Sequence, residues 1–245
     1  MLLKLMKILC IILLFLCCIA LAVYVLSRPS LIHQYSNKIT DLKYHLYPLH
    51  KQITATVFWV GEPIGNGSSE DNSESVYDPK WLEHYGGIDD PYQRKGYFPV
   101  SFIPKQNPFY LDVPYNDFYS CYLTEHCNPN QEGKRKPDSY LHVYWAHEKR
   151  WVDGESMMKN RWVKLIHRNK VCYGQNEDAG PYQYNDYEYV FGTALPKNKL
   201  ANNAGMDVSP ALRDCLGFSG LNNDENSVDW QWIDERNVPE GPWRE

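Results

Sequence analysis

Two aspartates of this sequence stand where a carboxylate could do chemistry. Asp178 opens the turn Asp178-Ala-Gly-Pro181, and Asp207 lies in Gly205-Met-Asp-Val-Ser209, directly before the signal for a short helix. A pair of carboxyl groups can cleave a glycosidic bond when one donates a proton and the other supports the developing charge. Asp117, which follows another apolar stretch, is a further candidate for this chemistry.

Each of the two main aspartates also has a purely structural interpretation. An aspartate before Gly-Pro often shapes its own turn by accepting backbone N–H bonds. An aspartate just before a helix interacts favourably with the helix dipole. From the residues alone, both interpretations stay open for Asp178 and Asp207.

The first 28 residues predict export. Residues 8–26 carry no charge and are almost wholly apolar, which is long enough for a membrane span. Lys4 and Lys7 precede this stretch and favour a cytoplasmic N-terminus. Ala20-Leu-Ala22 offers the alternative of cleavage by a signal peptidase. We therefore expect a protein that is either anchored in the membrane, facing the periplasm or exterior, or secreted after cleavage.

The charge and composition restrict the partners. The 245-residue chain has a formal net charge of −5, and the part that follows the first 28 residues is more acidic still. An acidic surface argues against nucleic acid as a partner. Aromatic residues make up 14% of the chain; they fill the cores of β proteins, and their rings also suit stacking on sugars.

Four cysteines lie beyond the apolar segment, and an even number in an exported domain permits two disulfide bonds. Cys121 and Cys127 bracket a short loop, and Cys172 with Cys215 would tie a core strand to the short helix. If Cys172 or Cys215 were free, either could instead act as a nucleophile beside a histidine. No Cys-x-x-Cys spacing occurs, so we expect no zinc site, and we expect no cofactor.

Alternation of apolar and polar residues, bounded by turn residues, predicts a mainly β protein. Ser209-Pro210 marks the start of a short helix and Gly217 its end. We expect residues 1–28 to be the signal or membrane segment, 29–52 a linker, and 53–245 one domain with insertions at 62–106 and 118–160. The expected strands are 53–60, 108–115, 162–166, 171–175, 189–191 and 228–233.

Five segments in this order resemble the double-psi β-barrel of the rare lipoprotein A family, whose fold is shared by expansins and family 45 endoglucanases. They are an aromatic strand ending in glycine (57–61), a Leu-Asp-Val-Pro-Tyr segment (111–115), a central hairpin (163–175), the Asp-Ala-Gly-Pro turn (178–181) and the Asp-Val-Ser helix start (206–217).

The resemblance implies a six-stranded barrel with loop insertions and one short helix. It also implies that Asp178 is the general acid, assisted by Asp207 or Asp117. Tyr110 stands where the lytic members have a histidine, and tyrosine is a poor proton acceptor near neutral pH. Aromatic side chains near the groove are the expected contacts to a sugar. They are Trp59, Tyr110, Tyr173, Tyr182 and Tyr184.

We therefore expect an exported envelope protein that binds or cleaves a polysaccharide, with peptidoglycan as the first candidate. As an enzyme it would be a lytic transglycosylase or would resemble a glycosidase, and it would need no metal. The alternative is a non-catalytic module that binds a glycan or a protein.

Overall fold

The computed structural model describes residues 24, 47–65, 71–120 and 128–244. The chain divides into two compact units, Met1–Leu46 and Tyr47–Glu245, and every strand named here belongs to the second. The predicted signal or membrane segment lies, apart from Tyr24, outside the described residues. None of the helices in the described ranges is long and apolar enough to cross a membrane.

The second unit is mainly β, with short helices between the strands. The strands are β1 (His50–Val57), β2 (Arg94–Lys95), β3 (Phe98–Pro99), β4 (Tyr110–Val113), β5 (Arg161–His167), β6 (Lys170–Ala179), β7 (Met206–Val208) and β8 (Ser227–Trp232). The α-helices are α1 (Trp81–Tyr85), α2 (Ser139–His142), α3 (Tyr187–Val190) and α4 (Pro210–Leu216). Four short 3₁₀ segments are Pro129–Gln131, Ala201–Asn203, Glu235–Asn237 and Pro242–Arg244.

Six of the strands close into a barrel, in the order β1-β7-β4-β6-β5-β8, with β8 pairing back onto β1. The barrel is mixed: β1–β7 and β4–β6 are parallel, and the other neighbouring pairs are antiparallel. The predicted mainly β class and the predicted number of barrel strands are therefore confirmed. Strands β2 and β3 form a separate two-stranded sheet within the first insertion.

The part of the barrel with the strongest sequence pattern forms as predicted. β5 and β6 make the expected hairpin, with His167 opposite Lys170. β8 alternates, with Val228, Trp230 and Trp232 buried and the residues between them only half-buried. Period-two alternation places one side of a strand in the core, and here that side carries two indole rings.

The prediction of a strand at 189–191 is wrong. Residues Tyr187–Val190 form α3, which packs over β8: the Tyr189 hydroxyl accepts a hydrogen bond from Trp230 Nε1 at 2.7 Å. Trp232 Nε1 donates to the Val190 carbonyl at 3.1 Å. These tertiary contacts override the local β preference of an aromatic and β-branched run. The sixth barrel strand is β7 instead.

Helix α4 follows β7 directly and is held at both ends. The Ser209 side chain accepts a hydrogen bond from the Leu212 N–H, with Pro210 in the first turn. Gly217, at φ 71°, takes the left-handed conformation that ends the helix. The Cys172–Cys215 disulfide joins α4 to β6, as the sequence predicted. Cys121 and Cys127 lie outside the described residues.

The first insertion packs on the outside of the barrel. Trp81 and Tyr85 of α1 are buried against Phe58, Val60 and Tyr110. Trp81 meets the Tyr110 ring edge-on at 5.1 Å between centroids. This aromatic cluster holds the chain that follows β1 against the start of β4 and so fixes residues 59–62 next to the barrel.

Candidate active site

Three aspartates form a row across adjacent barrel strands. In the antiparallel β4–β7 pair, Asp112 lies opposite Asp207, and in the parallel β4–β6 pair it lies opposite Asp178. Thr56 of β1 pairs with Asp207 and extends the row onto a fourth strand. Side chains at directly paired positions share a face of the sheet. We call Asp207, Asp112 and Asp178 the carboxylate row.

Within the row, Asp207 is the most accessible member. It is half-buried, whereas Asp112 and Asp178 are buried. The Thr56 hydroxyl donates a hydrogen bond to Asp207 Oδ1. Asp112 Oδ1 accepts from the Asp207 backbone N–H at 3.0 Å. Asp207 is thus held from both neighbouring strands. The buried Asp112 helps to fix the position of Asp207 through this backbone hydrogen bond.

The spacing of strands bears on which carboxylates can act together. Asp178 and Asp207 are separated by one intervening strand, so their Cα atoms lie about 10 Å apart at the usual interstrand distance. The two aspartates singled out in the sequence lie in one row but are not direct neighbours.

A carboxyl group outside the row, Glu62, interacts with Asp207. Glu62 follows β1 after a tight turn, with its backbone N–H donating to the Trp59 carbonyl at 3.0 Å. Its side chain is buried and accepts from Asn72 Nδ2 at 3.2 Å. Burial raises the pKa of Glu62 to about 7, with the negative charge of Asp207 adding to the rise and hydrogen bonds at Trp59 and Asn72 opposing it. About half of the Glu62 carboxyl groups are therefore protonated at pH 7, and the protonated share rises as the pH falls below that value.

Asp178 holds its own turn and a loop from the first insertion. Its Oδ1 accepts backbone N–H bonds from Ala179 and Val76, both at 2.8 Å. The neighbouring Gly180 leaves no space for a side chain, because a Cβ there would lie 2.6 Å from Asp112 Oδ2. The Oδ1 atom of Asp178 is thus engaged in fixing the turn and the loop that carries Val76.

Asp117 is fully buried and accepts hydrogen bonds on both carboxylate oxygens. Oδ1 accepts from the Ser156 hydroxyl at 2.6 Å, and Oδ2 accepts from the Met157 N–H at 2.8 Å. The Arg135 guanidinium lies 3.4 Å from Oδ2. These contacts join two parts of the second insertion to the chain that follows β4, and they occupy both carboxylate oxygens of Asp117.

Replacing Asp117 with alanine is expected to destabilise the fold by about 3 kcal/mol, because it leaves Arg135 and the Met157 N–H buried without their partner. Chemical denaturation measures this loss. The exposed Asp153→Ala is the matched control and should change the free energy of unfolding by less than about 0.5 kcal/mol. A loss no larger than that of the control would contradict the anchoring role.

The predicted aromatic contacts divide by burial. Trp59, Tyr182 and Tyr184 are half-buried and keep accessible ring surface. Tyr173 is buried, with its ring 5.0 Å from that of Trp243. Tyr110 is fully buried, and its hydroxyl accepts from the Val60 N–H and donates to Asp89 Oδ2, both at 2.9 Å. Tyr110 therefore packs the interior and is not placed to contact a substrate.

Two residues of the site had no prominent signal in the sequence. Asp112 is the only charged residue in an otherwise apolar strand, Tyr110–Val113, and such a carboxylate marks an unusual position. Glu62 directly follows Gly61, four residues after β1 ends, and the sequence assigned it to an insertion. Within the described ranges, no group of three or more His, Cys, Asp or Glu side chains is arranged to hold a metal ion.

The fold and the site together define a class. The protein is a closed, mixed six-stranded β-barrel, which is compatible with a double-psi barrel, with a row of carboxylates crossing the β7-β4-β6 strands. No protein-family model matches this sequence, and a comparison with curated proteins finds no match either.

Proposed function

We propose that this is an exported double-psi barrel protein, similar to the rare lipoprotein A family, that cleaves a cell-envelope polysaccharide at Glu62 and Asp207. Peptidoglycan is the first candidate substrate. The observation that carries the proposal is the buried Glu62, whose pKa is raised to about 7 by burial and by the charge of the half-buried Asp207. Two carboxyl groups in different protonation states are what glycosidic cleavage requires.

In this mechanism Glu62 is the general acid. It donates its proton to the glycosidic oxygen as the bond from that oxygen to the anomeric carbon breaks. The Asp207 carboxylate stabilises the positive charge that develops on the sugar ring, and it accepts a proton from the water that adds to the anomeric carbon. Thr56 and Asp112 hold Asp207 in place through its Oδ1 and its backbone N–H.

This proposal moves the acid from Asp178 to Glu62. Asp178 Oδ1 is occupied by two backbone N–H groups, which makes it a positioning residue for the turn and for the loop that carries Val76. Tyr77, next to Val76, donates from its hydroxyl to the Tyr115 carbonyl at 3.0 Å. The loop is thereby attached to the ends of both β4 and β6, beside the row.

The second candidate is a non-catalytic glycan-binding module. It is favoured by the engagement of Asp178 in its own turn and by the burial of Asp112. In this case the half-buried rings of Trp59, Tyr182 and Tyr184 would provide the contact surface, and the carboxylates would serve to fix the loops that present those rings.

Incubation of the full-length protein with purified peptidoglycan distinguishes the two. We expect the wild type to release soluble muropeptides and Asp207→Asn to release them about ten to a hundred times more slowly, because the ring charge loses its partner. Asp153→Asn, an exposed aspartate, is the matched control and should keep the wild-type rate. Binding of the polymer without release, equal in the wild type and Asp207→Asn, would support the binding module and rule out the enzyme.

A further inference from the structure

A second concave site lies away from the carboxylate row, where the C-terminal tail crosses the barrel. Its volume is about 320 Å³, at the lower end of the range for small-molecule sites. We call it the tail cavity. Its walls combine indole rings with amide and guanidinium groups. Its lining includes Gln106, Asn107, Trp162, Gln175, Trp243 and Arg244.

The indole walls of the tail cavity are rigidly placed. Trp162 belongs to β5 and is 6% exposed. The Trp243 ring lies 5.0 Å from the Tyr173 ring and 6.0 Å from the Phe109 ring, and its Nε1 donates to the Pro239 carbonyl at 2.9 Å. An aromatic face held in this way offers a flat apolar wall at little entropic cost to a ligand.

The polar atoms of the cavity are less well satisfied. Trp162 Nε1, Gln106 Oε1 and Arg244 Nε are buried and have no hydrogen-bond partner in the described part of the chain. Buried polar groups are paired in the great majority of cases, and an orphan costs about 1–3 kcal/mol. Nine such side-chain atoms occur among the described residues, and three of them belong to residues that line this one cavity.

The orphan atoms include both donors and an acceptor. The Trp162 indole N–H and the Arg244 Nε–H can only donate, and the Gln106 carbonyl oxygen can only accept. Nearby, the Asn107 amide donates to Gln175 Oε1 at 2.8 Å and so presents a fixed amide pair. A ligand that satisfies this set must carry an acceptor and a donor close together, next to an apolar ring face.

We propose that the tail cavity binds a sugar ring that carries an acetamido group. The acetamido carbonyl would accept from Trp162 Nε1, the acetamido N–H would donate to Gln106 Oε1, and the C–H face of the ring would lie on Trp243. The proposal rests on the proposed function for the choice of a glycan, and it names the kind of sugar that the glycan contains. It requires no bond to be cleaved.

Access to the Trp162 indole N–H requires a movement of the tail. The Arg244 guanidinium lies 5.6 Å from the centre of the Trp162 ring and donates to the Glu235 carbonyl. Arg244 is a long side chain on the short Pro242–Arg244 segment, so it can change rotamer without disturbing the barrel. The entering acetamido group would replace the cover that Arg244 now provides.

The tail cavity and the carboxylate row are connected through β6. Gln175 pairs with Tyr110, and Asp178 pairs with Asp112, along the same two strands. Three residues of strand span about 10 Å, a distance that successive sugars of one chain could bridge. An acetamido sugar bound in the cavity would therefore place a neighbouring part of the same glycan within reach of the row.

Calorimetric titration of the full-length protein with N-acetylglucosamine, and separately with glucose, tests the proposal. We expect a dissociation constant for N-acetylglucosamine of about a millimolar, as for a small ligand of modest efficiency. Glucose, which lacks the acetamido group, should bind at least about tenfold more weakly. Equal affinity for the two sugars, or binding of neither, would overturn the proposal.

Trp162→Phe keeps an aromatic ring but removes the N–H donor, so affinity for N-acetylglucosamine should fall about tenfold. Trp151→Phe is the matched control: Trp151 Nε1 donates to the Ala146 carbonyl outside the cavity, and its loss should leave affinity unchanged. If Trp162→Phe does not fold, Trp243→Ala serves instead, because Trp243 is only half-buried and forms the other indole wall of the cavity. This variant should lose a similar amount of affinity for N-acetylglucosamine. Unchanged affinity in the folded cavity variant would contradict the site.

Failure of this proposal is distinguishable from failure of the proposed function. Asp207→Asn should lose muropeptide release while binding N-acetylglucosamine as the wild type does. Muropeptide release by the wild type without selective binding of N-acetylglucosamine would contradict sugar binding in the tail cavity and still support the cleavage site. Selective binding of N-acetylglucosamine that is unchanged in Asp207→Asn, with no muropeptide release by the wild type, would keep the tail cavity as a sugar site and reject the cleavage site.

Discussion

Glu62→Gln is expected to slow polysaccharide cleavage by about a thousandfold, the contribution typical of a positioned general acid. Glutamine keeps the shape of the side chain and can still accept from Asn72, but it has no proton to donate to the leaving oxygen. The rate of muropeptide release by wild type and variant measures the effect. A variant within about threefold of the wild type would show that Glu62 is not the acid.

The pH dependence of the wild type gives a second measurement of the same group. The pKa of Glu62 is raised to about 7 by burial and by the charge of Asp207. Because the acid must be protonated, the rate should fall about tenfold for each pH unit above about 7. The residual activity of Glu62→Gln should lack this decline.

Glu62→Gln should also make the protein more stable at alkaline pH. The pKa of the carboxyl group is about 7 in the fold against 4.5 in the unfolded chain, so folding favours the protonated form. Ionisation of Glu62 in the folded protein therefore lowers the free energy of unfolding. This loss is absent below about pH 4.5, grows as the pH rises and is complete above about pH 7. It amounts to about 3 kcal/mol. The variant should match the wild type at pH 4 and exceed it at pH 8.

Glu177 offers a matched control for these measurements. It is buried, and its pKa is also raised to about 7, chiefly by burial, with Lys159 opposing the rise and Asp78 adding to it. Lys159 lies 3.9 Å from Glu177 and 3.3 Å from Asp78, so Glu177 belongs to a separate cluster. Glu177→Gln should gain stability at pH 8 but keep the wild-type rate of cleavage. A loss of cleavage in both variants would mean that the effect is not specific to Glu62.

The double variant Cys172→Ala/Cys215→Ala is expected to lose about 4 kcal/mol of stability. The cysteines are 43 residues apart, and the entropy of closing a loop of this length in the unfolded chain predicts that magnitude. The melting temperature should fall by about 10 °C for a domain of this size. The bond holds α4, and with it the end of β7, against β6, so the row should become less well ordered when the bond is lost.

Reduction provides the control for the disulfide prediction. A reducing agent should lower the melting temperature of the wild type to that of the double variant and leave the double variant unchanged. A double variant that melts within about 3 °C of the oxidised wild type would show that the bond contributes little. Because both sulfurs are joined in the bond, neither cysteine is available as the nucleophile that the sequence left as an alternative.

Local patterns were sufficient for much of the fold. Alternation in β8 and in the β5–β6 hairpin predicted strands, and Ser209-Pro210 with Gly217 predicted the limits of α4. In each case the signal lies within a few residues, since side-chain period and end-capping are local properties. The pairing of Cys172 with Cys215 could also be proposed, because an exported domain with an even number of cysteines favours disulfides.

The element that local patterns did not reveal is β7. Met206–Val208 is three residues long and has an aspartate at its centre, so no alternation can be recognised. The sequence at Tyr189–Phe191 has a stronger β pattern, yet Tyr189 and Val190 belong to helix α3. The helix forms because these residues contact the tryptophans of β8. The local preferences for helix or strand are weak in both segments, so tertiary packing decides which of them forms the strand.

By itself, the sequence determined a mainly β chain with a short capped helix and two aspartates at the ends of structured segments. Only the tertiary structure decided which carboxylates meet. Thr56 and Asp207 are 151 positions apart in the chain and are joined by a parallel strand pair. The aromatic cluster around Trp81 fixes the chain after β1, and the charge of Asp207 helps to raise the pKa of Glu62 in that chain. Strand register and packing between distant segments are long-range properties, so local patterns around Asp178 and Asp207 could not show which other groups lie near them.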